Sequence, residues 1–321
     1  YYRRKFKEKL YNLTRAGTEK LTYAEIVWLQ NKMDIVHLQH SYLFPKVAGL
    51  LTFPPEKRPK IMITLRGGDT YVKPWVQEKW KDFYHNTAKH IDAFVVMSDH
   101  QKMYLHEKWG VALERIHVIP ISFGEKFETT PKNPDPETIK MASVFRMCWE
   151  KNIDGNLRVV QHLVSKGLPV QYDIFGSGPD AGQVWYLIDK YGLSKNVTYH
   201  GRLANTILKE RLDAADFFLQ LSHSEAFPTT VIEAQAKGIP ALVSNAGGLP
   251  AAIVPDKSGY VVATNEIAKG AEAIASLWKN PAAYSAFSQA AIVHAQSQFS
   301  VTDEVRRLSQ LYLKLKLSNK K

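Results

Sequence analysis

The stretch "SEAFPTTVIEAQAKGIPALVSNAGGLP", residues 224–250, places Glu225 and Glu233 in an otherwise apolar and small-residue segment. The run "FFLQLS" before it and the run "ALVSN" within it are short and apolar, which predicts two buried strands. Between them, "TTVIEAQAKG" predicts a short helix that a glycine and a proline end. Glu225 and the pair Gly247-Gly248 each follow a strand, so we expect them in neighbouring loops at one edge of a sheet.

That edge of an open α/β sheet is where anionic ligands bind, because helix N-termini offer backbone amides there. Two carboxylates at such an edge would repel an anionic ligand unless each accepts hydrogen bonds from hydroxyls of that ligand. A nucleotide sugar supplies both sets, a ribose diol and the sugar hydroxyls. The glycine pair would let the backbone approach this ligand, because no Cβ intervenes. Taken singly, Glu233 could be an exposed helix position and Glu225 an ordinary loop acid.

The rest of the chain alternates short apolar runs with helical stretches, the pattern of βα units and a parallel sheet. The fold class is therefore α/β, with two Rossmann-like domains. We expect a first domain over residues 1–123, a polar linker with three prolines over 124–138, and a second domain over 139–300. A helix over 301–321 is expected to cross back to the first domain. The predicted strands are 34–39, 61–66, 93–98, 116–121, 141–148, 170–176, 197–201, 217–222, 240–245 and 259–262.

The composition narrows the class of protein. A single cysteine, Cys148, excludes an internal disulfide framework and a Cys-rich zinc site, and it favours a cytoplasmic location. A run of 18 or more apolar residues, which a membrane span needs, is missing from the sequence. The net charge of +11 predicts attraction to anions, but no nucleic-acid-binding motif is found, so nucleic acid is not an expected partner. The basic and aromatic first 20 residues suit either an anionic membrane surface or a solvated helix face.

The ordered run from Glu225 to Gly248 resembles the donor-site signature of the GT-B retaining glycosyltransferases of family 4, the glycosyl transferases group 1. The segment "FRMCWEKN" resembles the Gly-Arg and Glu-Lys segment of that family, with Phe145 in place of glycine. The resemblance implies that Arg146 and Lys151 stabilise the diphosphate leaving group. It also implies that Glu225 acts on the sugar in catalysis and that Glu233 holds the ribose diol. The remaining donor-binding residues that it implies are Phe227, Pro228, Thr229, Gly176, Gly201, Arg202, Gly247 and Gly248.

In the first domain, Arg66-Gly67-Gly68-Asp69 resembles the His-Gly-x-Asp turn of the family. The acceptor-side candidates are His40, Arg66, Gly67 and Asp69. The family begins with a further strand and a Gly-rich loop, which the 33 residues before the first predicted strand do not match. We therefore expect a first domain that is reduced or truncated.

The resemblance implies a metal-independent hexosyltransferase that needs no cofactor. Its donor would be a UDP- or GDP-sugar, and its acceptor a lipid-linked or saccharide hydroxyl in cell-surface polysaccharide or glycolipid synthesis. The protein would work at the inner face of the membrane as a peripheral protein. Three alternatives remain open: a nucleotide-sugar 2-epimerase, a sugar-phosphate synthase or phosphorylase, and a non-catalytic nucleotide-sugar-binding module.

Overall fold

The computed structural model describes residues 2–12, 20–124 and 129–318. The predicted linker and C-terminal segment therefore fall partly outside the described residues, as does the basic stretch 13–19. The chain forms two compact units. The first unit contains the described residues up to Pro120 together with those from Glu304 onward, and the second is Ile121–Asp303.

The first unit is built on a parallel sheet of four strands in the order β1-β2-β3-β4. All four predicted strands are confirmed, and each ends one to three residues earlier than predicted. The strands are β1 Ile35–Leu38, β2 Lys60–Thr64, β3 Ala93–Val96 and β4 Ile116–Val118. The helices of this part are α1 Tyr2–Asn12, α2 Tyr23–Gln30, α3 Gly68–Tyr71, α4 Lys73–Val76, α5 Glu78–Asp82 and α6 Asp99–Trp109.

The second unit contains a parallel sheet of six strands in the order β10-β9-β8-β5-β6-β7. This is the doubly wound order, with the first strand of the unit beside the fourth. The strands are β5 Ile139–Val144, β6 Val170–Phe175, β7 Val197–Gly201, β8 Phe217–Gln220, β9 Ala241–Ser244 and β10 Gly259–Val262. The helices are α7 Ile153–Ser165, α8 Ala181–Lys190, α9 Asn205–Asp213, α10 Thr229–Ala236, α11 Ile267–Trp278 and α12 Pro281–Gln298.

Apolar side chains on both faces of the second sheet are buried, as a parallel sheet covered by helices requires. Phe217, Phe218 and Leu219 of β8 are at most 1% exposed. The strand predicted over 141–148 was wrong at its end, since β5 stops at Val144. Arg146 consequently lies in the loop between β5 and α7, at the carboxyl edge of the sheet.

The described part of the predicted linker packs on the second unit. The amide of Lys132 donates to Ser288 Oγ (2.8 Å), and the amide of Asp135 donates to Asp216 Oδ1 (3.1 Å). Trp278 Nε1 donates to the carbonyl of Asp135 (2.7 Å). These hydrogen bonds hold residues 132–135 against the unit.

The last helix, α13, is Val301–Leu317. Its residues from Glu304 onward belong to the first unit. Tyr312 Oη lies 2.8 Å from His37 Nδ1. Lys316 Nζ lies 2.8 Å from Asp34 Oδ2. Across the described residues, no helix has the length and apolar character needed to cross a membrane.

Candidate functional site

The carboxylate of Glu225 is held by two side chains at the carboxyl edge of the second sheet. Lys151 Nζ forms an ion pair with Glu225 Oε2, and Gln220 Nε2 donates to the same oxygen (2.8 Å). The side chains of Lys151 and Glu225 are only 17% and 14% exposed. Thr230 Oγ1 donates to Gln220 Oε1 (3.3 Å), which orients the amide. Two of the three predicted catalytic residues are thus in direct contact.

The glycine pair fixes the backbone of Glu225. Gly248 N donates to the carbonyl of Glu225 (2.8 Å). Gly247 has φ +57°, and a Cβ at this position would lie 1.9 Å from the same carbonyl oxygen. The close approach that requires glycine is therefore to Glu225 itself. A contact between the pair and a ligand stays a prediction.

The loop that carries Lys151 is tied to the loop that carries Glu225. Asn152 has φ +48°, and its side chain accepts from Gly155 N at the start of α7. Asn156 Nδ2 donates to the carbonyl of Lys151 (2.9 Å), while Asn156 Oδ1 accepts from Leu221 N (3.0 Å). These bonds position the ammonium of Lys151 before any ligand arrives.

Arg146 occupies the same loop, and its side chain is exposed. Within the described ranges no carboxylate pairs with its guanidinium. An exposed, unpaired guanidinium can bind two phosphate oxygens at once. Arg146 is therefore available to an anionic ligand at this edge.

The loops after β5, β6 and β7 are joined through two glycines. Gly176 has φ +126°, and a Cβ there would lie 1.9 Å from the carbonyl oxygen of Phe145. Gly176 N donates to the carbonyl of Gly201 (2.8 Å), which itself has φ +66°. The neighbouring Arg202 is exposed. Gly176 and Gly201 therefore bring the loops after β5, β6 and β7 together at the carboxyl edge of the sheet.

Glu233 is half-buried on α10 and lines a cavity of about 200 Å³. Val144, Leu208 and Lys209 also line this cavity, which combines apolar walls with a few polar groups. Such a mixture is typical of small-molecule sites. The cavity lies at the last residue of β5, in the same unit as Lys151.

The side chains around the start of α10 are mostly buried. Phe227 is 9% exposed, and its ring packs edge-on against Phe299 with centroids 5.4 Å apart. Pro228 is buried, and Thr229, the first residue of α10, is half-buried. The ring of Phe227 is therefore packed inside the unit, and a contact between Phe227 and a ligand stays a prediction.

The acceptor-side candidates come together in the first unit, after β1 and β2. Asp69 is buried, and its carboxylate accepts from Arg66 N (3.0 Å) and from the hydroxyl of Ser41. His40 Nδ1 lies 3.9 Å from Asp69 Oδ2. Gly67 has φ +97°, which favours glycine. Asp69 thus stabilises the turn that presents the exposed side chain of Arg66.

The pKa values of the two histidines in β1 and its following loop, His37 and His40, are lowered from the ordinary value. Burial lowers the pKa of His40, and Lys73 and Arg66 lower it further against the opposing effect of Asp69. Burial, and then Arg66, lowers the pKa of His37 to about 4. His37 Nε2 lies 2.8 Å from Thr64 Oγ1, and Tyr312 occupies its other nitrogen. His37 is therefore a packed and satisfied histidine.

Sequence reasoning missed three polar residues of these sites: Gln220, Asn156 and Ser41. Each is at most 1% exposed. The signal for Gln220 was present, because it is the polar residue inside the apolar run "FFLQLS". A buried polar side chain needs a partner, and its partner here is Glu225. Over the same described ranges, no group of three or more His, Cys, Asp or Glu side chains could hold a metal ion.

Two sequence families match this chain. The glycosyl transferases group 1 family matches residues 125–294, and glycosyltransferase family 4 matches residues 6–121. A candidate colanic acid biosynthesis glycosyltransferase, WcaL of Escherichia coli (strain K12), is 28% identical over 177 residues. The glycogen synthase of Mycobacterium tuberculosis is 27% identical over 229 residues. The match spans 53% of this chain and 44% of WcaL, and 70% of this chain and 55% of the glycogen synthase.

The fold has similar solved structures. HepE of Anabaena, in complex with UDP-glucose, has a TM-score of 0.70 and 14% identity, and the similarity covers 90% of this chain and 81% of HepE. At that identity the likeness shows the fold. The group 1 match covers more than half of the chain. The chain therefore belongs to the glycosyl transferases group 1 family, and its fold is that of the GT-B glycosyltransferases.

Proposed function

We propose that this chain is a retaining glycosyltransferase that moves a hexose-type sugar from a nucleoside diphosphate to an acceptor hydroxyl. The observation that carries the proposal is the contact between Lys151 and Glu225 at the carboxyl edge of the doubly wound sheet. In this proposal the cation of Lys151 binds a phosphate of the donor, and the neighbouring carboxylate of Glu225 accepts from a sugar hydroxyl. A nucleotide sugar has both groups within one small molecule.

In this proposal the cationic residues bind the diphosphate of the donor and the carboxylates bind its hydroxyls. Arg146 and Lys151 bind the diphosphate and stabilise the negative charge that grows on it as the sugar leaves. Glu225 accepts from a sugar hydroxyl, and Glu233 accepts from the ribose diol. Losing one such contact in a water-excluded site costs about 3 kcal/mol of transition-state stabilisation.

The transfer that we propose occurs on one face of the sugar. The bond from C1 of the sugar to the β-phosphate oxygen breaks, and its electron pair stays on the departing nucleoside diphosphate. The acceptor oxygen forms the new bond to C1 on the same face, and its proton passes to a phosphate oxygen. Arg146 and Lys151 provide the positive charge that this step requires, so we propose that no metal or cofactor takes part.

The donor that we propose is a UDP-sugar, by analogy with HepE, whose solved complex contains UDP-glucose. For the acceptor we propose a saccharide or lipid-linked saccharide of a cell-surface polysaccharide. The similarity to WcaL supports this class of acceptor. His40 and Arg66 remain the candidates for binding the acceptor in the first unit.

The location that we propose is the inner membrane surface, with the protein bound peripherally through α1. Tyr2, Phe6 and Leu10 of α1 recur every four residues, and they are 89%, 67% and 58% exposed. Lysines and arginines flank them along the helix. A basic helix with an apolar stripe binds anionic lipid headgroups.

Thermal unfolding with UDP, GDP, ADP and CDP, and with their common sugars, tests the donor assignment. A ligand at about 100 times its dissociation constant stabilises by about 2.7 kcal/mol, a shift of several degrees. We expect the shift from one nucleotide, and we expect Arg146→Ala and Glu233→Gln to reduce it. If no nucleotide raises the unfolding temperature, the proposed donor site is wrong.

Turnover assays with the nucleotide that binds then separate the alternatives. Product formed only with an added acceptor supports transfer, and it should persist in EDTA. Conversion of the donor without any acceptor would indicate an epimerase. A requirement for a phosphorylated acceptor would indicate a synthase, and nucleotide binding without turnover would indicate a binding module.

A further inference from the structure

A second, larger cavity of about 670 Å³ lies at the carboxyl edge of the second sheet. It is formed where α7 and α8 begin, with one residue from the loop after β8. Its side chains include those of Trp149, Asp154, Asp180, Gln183 and His223. The predicted donor residues do not line it. The cavity therefore lies outside the donor site described above.

Trp149 places a large apolar surface in water at the rim of this cavity. Its side chain is 59% exposed, although its neighbours Met147 and Cys148 are buried. The turn from Trp149 to Lys151 is rigid, because Asn152 N donates to the carbonyl of Trp149 (3.1 Å) and His223 N donates to that of Glu150 (2.7 Å). A rigid, exposed indole offers binding area at a low entropic cost.

The polar side of the cavity is also ordered. The hydroxyl of Tyr191 donates to Asp154 Oδ1, which fixes the carboxylate of Asp154. Burial and this hydrogen bond raise the pKa of Tyr191 to about 12, so the hydroxyl keeps its proton at neutral pH. The other oxygen of Asp154 can accept from a ligand. Asp180 adds a second carboxylate, and Gln183 can both donate and accept.

The charged side chains that line the cavity disfavour some classes of ligand. Two carboxylates repel phosphate and other anions, although two helix N-termini meet here. Asp154, Asp180 and His223 do not form a group of metal-ligand geometry in the described part of the chain. A neutral ligand with an apolar face and several hydroxyls fits this lining, because the indole can cover the face while the carboxylates accept from the hydroxyls. A pyranose has both, because its axial C–H groups form one face and its hydroxyls project from the ring edge.

We propose that this cavity binds one residue of a neutral glycan, with the sugar ring against the indole of Trp149 and its hydroxyls hydrogen-bonded to Asp154, Asp180 and Gln183. The volume falls in the range of about 300–1,000 Å³ that ligand sites occupy. The site needs no nucleotide. It rests on the proposed function only in that the glycan would be the acceptor or the product of the transfer.

The cavity adjoins the Trp149–Lys151 turn, which also carries the cation that contacts Glu225. Lys151 uses its side chain to bind Glu225, while Trp149, two residues earlier, lines the cavity. A glycan held by Trp149 is thereby kept beside the sheet edge where the sugar is transferred. This raises its local concentration and does not add a catalytic group.

Ligand-observed NMR on the whole protein with maltotriose, cellotriose and chitotriose, without nucleotide, tests the proposal. We expect saturable binding of at least one trisaccharide. Trp149→Ala should weaken it at least tenfold, and Asp180→Asn should weaken it severalfold. Trp185→Ala is the matched control, because Trp185 on α8 has the same exposure of 59% but packs edge-on against Tyr199 of β7 and does not line the cavity.

Binding that survives in Trp149→Ala, or that is lost equally in both tryptophan variants, overturns the proposal. So does the absence of binding for all three sugars. Since Trp149 is exposed, both variants should keep the unfolding temperature of the wild type. A nucleotide shift measured on the same samples reports the donor site separately, so either site can fail without the other.

Discussion

The ammonium of Lys151 is paired with the carboxylate of Glu225, although 74 residues separate them in the chain. The pair forms because β5 and β8 are neighbours in the sheet, so the loops that follow them meet at one edge. Both side chains are largely shielded from water, which strengthens their attraction relative to a surface pair. The two charges are therefore already in place without a bound ligand.

Removing one member of this pair should cost more than removing both. In Lys151→Met the carboxylate of Glu225 loses its ammonium partner and keeps the hydrogen bond from Gln220, and we expect the free energy of unfolding to fall by about 1–2 kcal/mol. Chemical denaturation of Lys151→Met, Glu225→Gln and the double variant measures the coupling, which we expect to be about 1 kcal/mol. Strict additivity of the two single changes would show that the pair contributes nothing.

Replacing Gly247 should displace the backbone of Glu225 and destabilise the fold. Gly247→Ala forces a Cβ against the carbonyl of Glu225 in a left-handed conformation, and we expect a loss of at least about 2 kcal/mol in the free energy of unfolding. Gly182→Ala is the control for stability, since a Cβ there meets open space on α8. If both variants unfold at the same denaturant concentration, the close packing of Gly247 against the carbonyl of Glu225 does not contribute to stability.

His37 should make the first unit less stable in mild acid. Its pKa is about 4 in the folded chain and 6.5 for the ordinary side chain, so between these values the unfolded chain binds the additional proton. The stabilisation is present above about pH 6.5 and is lost as the pH falls towards 4. The unfolding temperature of His37→Gln should fall less between pH 7 and pH 5 than that of the wild type. His90→Gln changes an exposed histidine, so its unfolding temperature should depend on pH as that of the wild type does. If the unfolding temperatures of all three proteins fall equally between pH 7 and pH 5, His37 does not have this role.

Binding to anionic lipid should depend on the charge of α1. Reversing Lys7 and Lys9 to Glu should weaken co-sedimentation with phosphatidylcholine vesicles that contain phosphatidylglycerol by about tenfold or more, because each juxtamembrane lysine contributes about 1 kcal/mol. The same change at Lys195 and Lys257 of the second unit alters the net charge equally. Equal losses in the two double variants would assign binding to the total charge rather than to α1.

The ten strands could be predicted from the sequence because a buried parallel strand is a short apolar run between turn residues. The sequence was least informative at two polar positions. The end of β5 was placed after Arg146, because "MASVFRMC" remains apolar beyond the last ladder bond. Gln220 was correctly placed in a strand, but its contact with Glu225 was missed, because nothing in "FFLQLS" tells which side chain its amide meets.

The sequence by itself determined the two α/β units and the order of the donor-site residues, since hydrophobic periodicity and local turn residues act over short distances. Only the tertiary structure decided that Lys151 pairs with Glu225 and that Gly247 packs on the carbonyl of Glu225. It also decided that Asp69 is buried beneath the turn of Arg66, and that Trp149 borders a cavity with Asp154 and Asp180. Each of these depends on which strands are neighbours in the sheet, and that order is set by the packing of the whole unit rather than by any one segment.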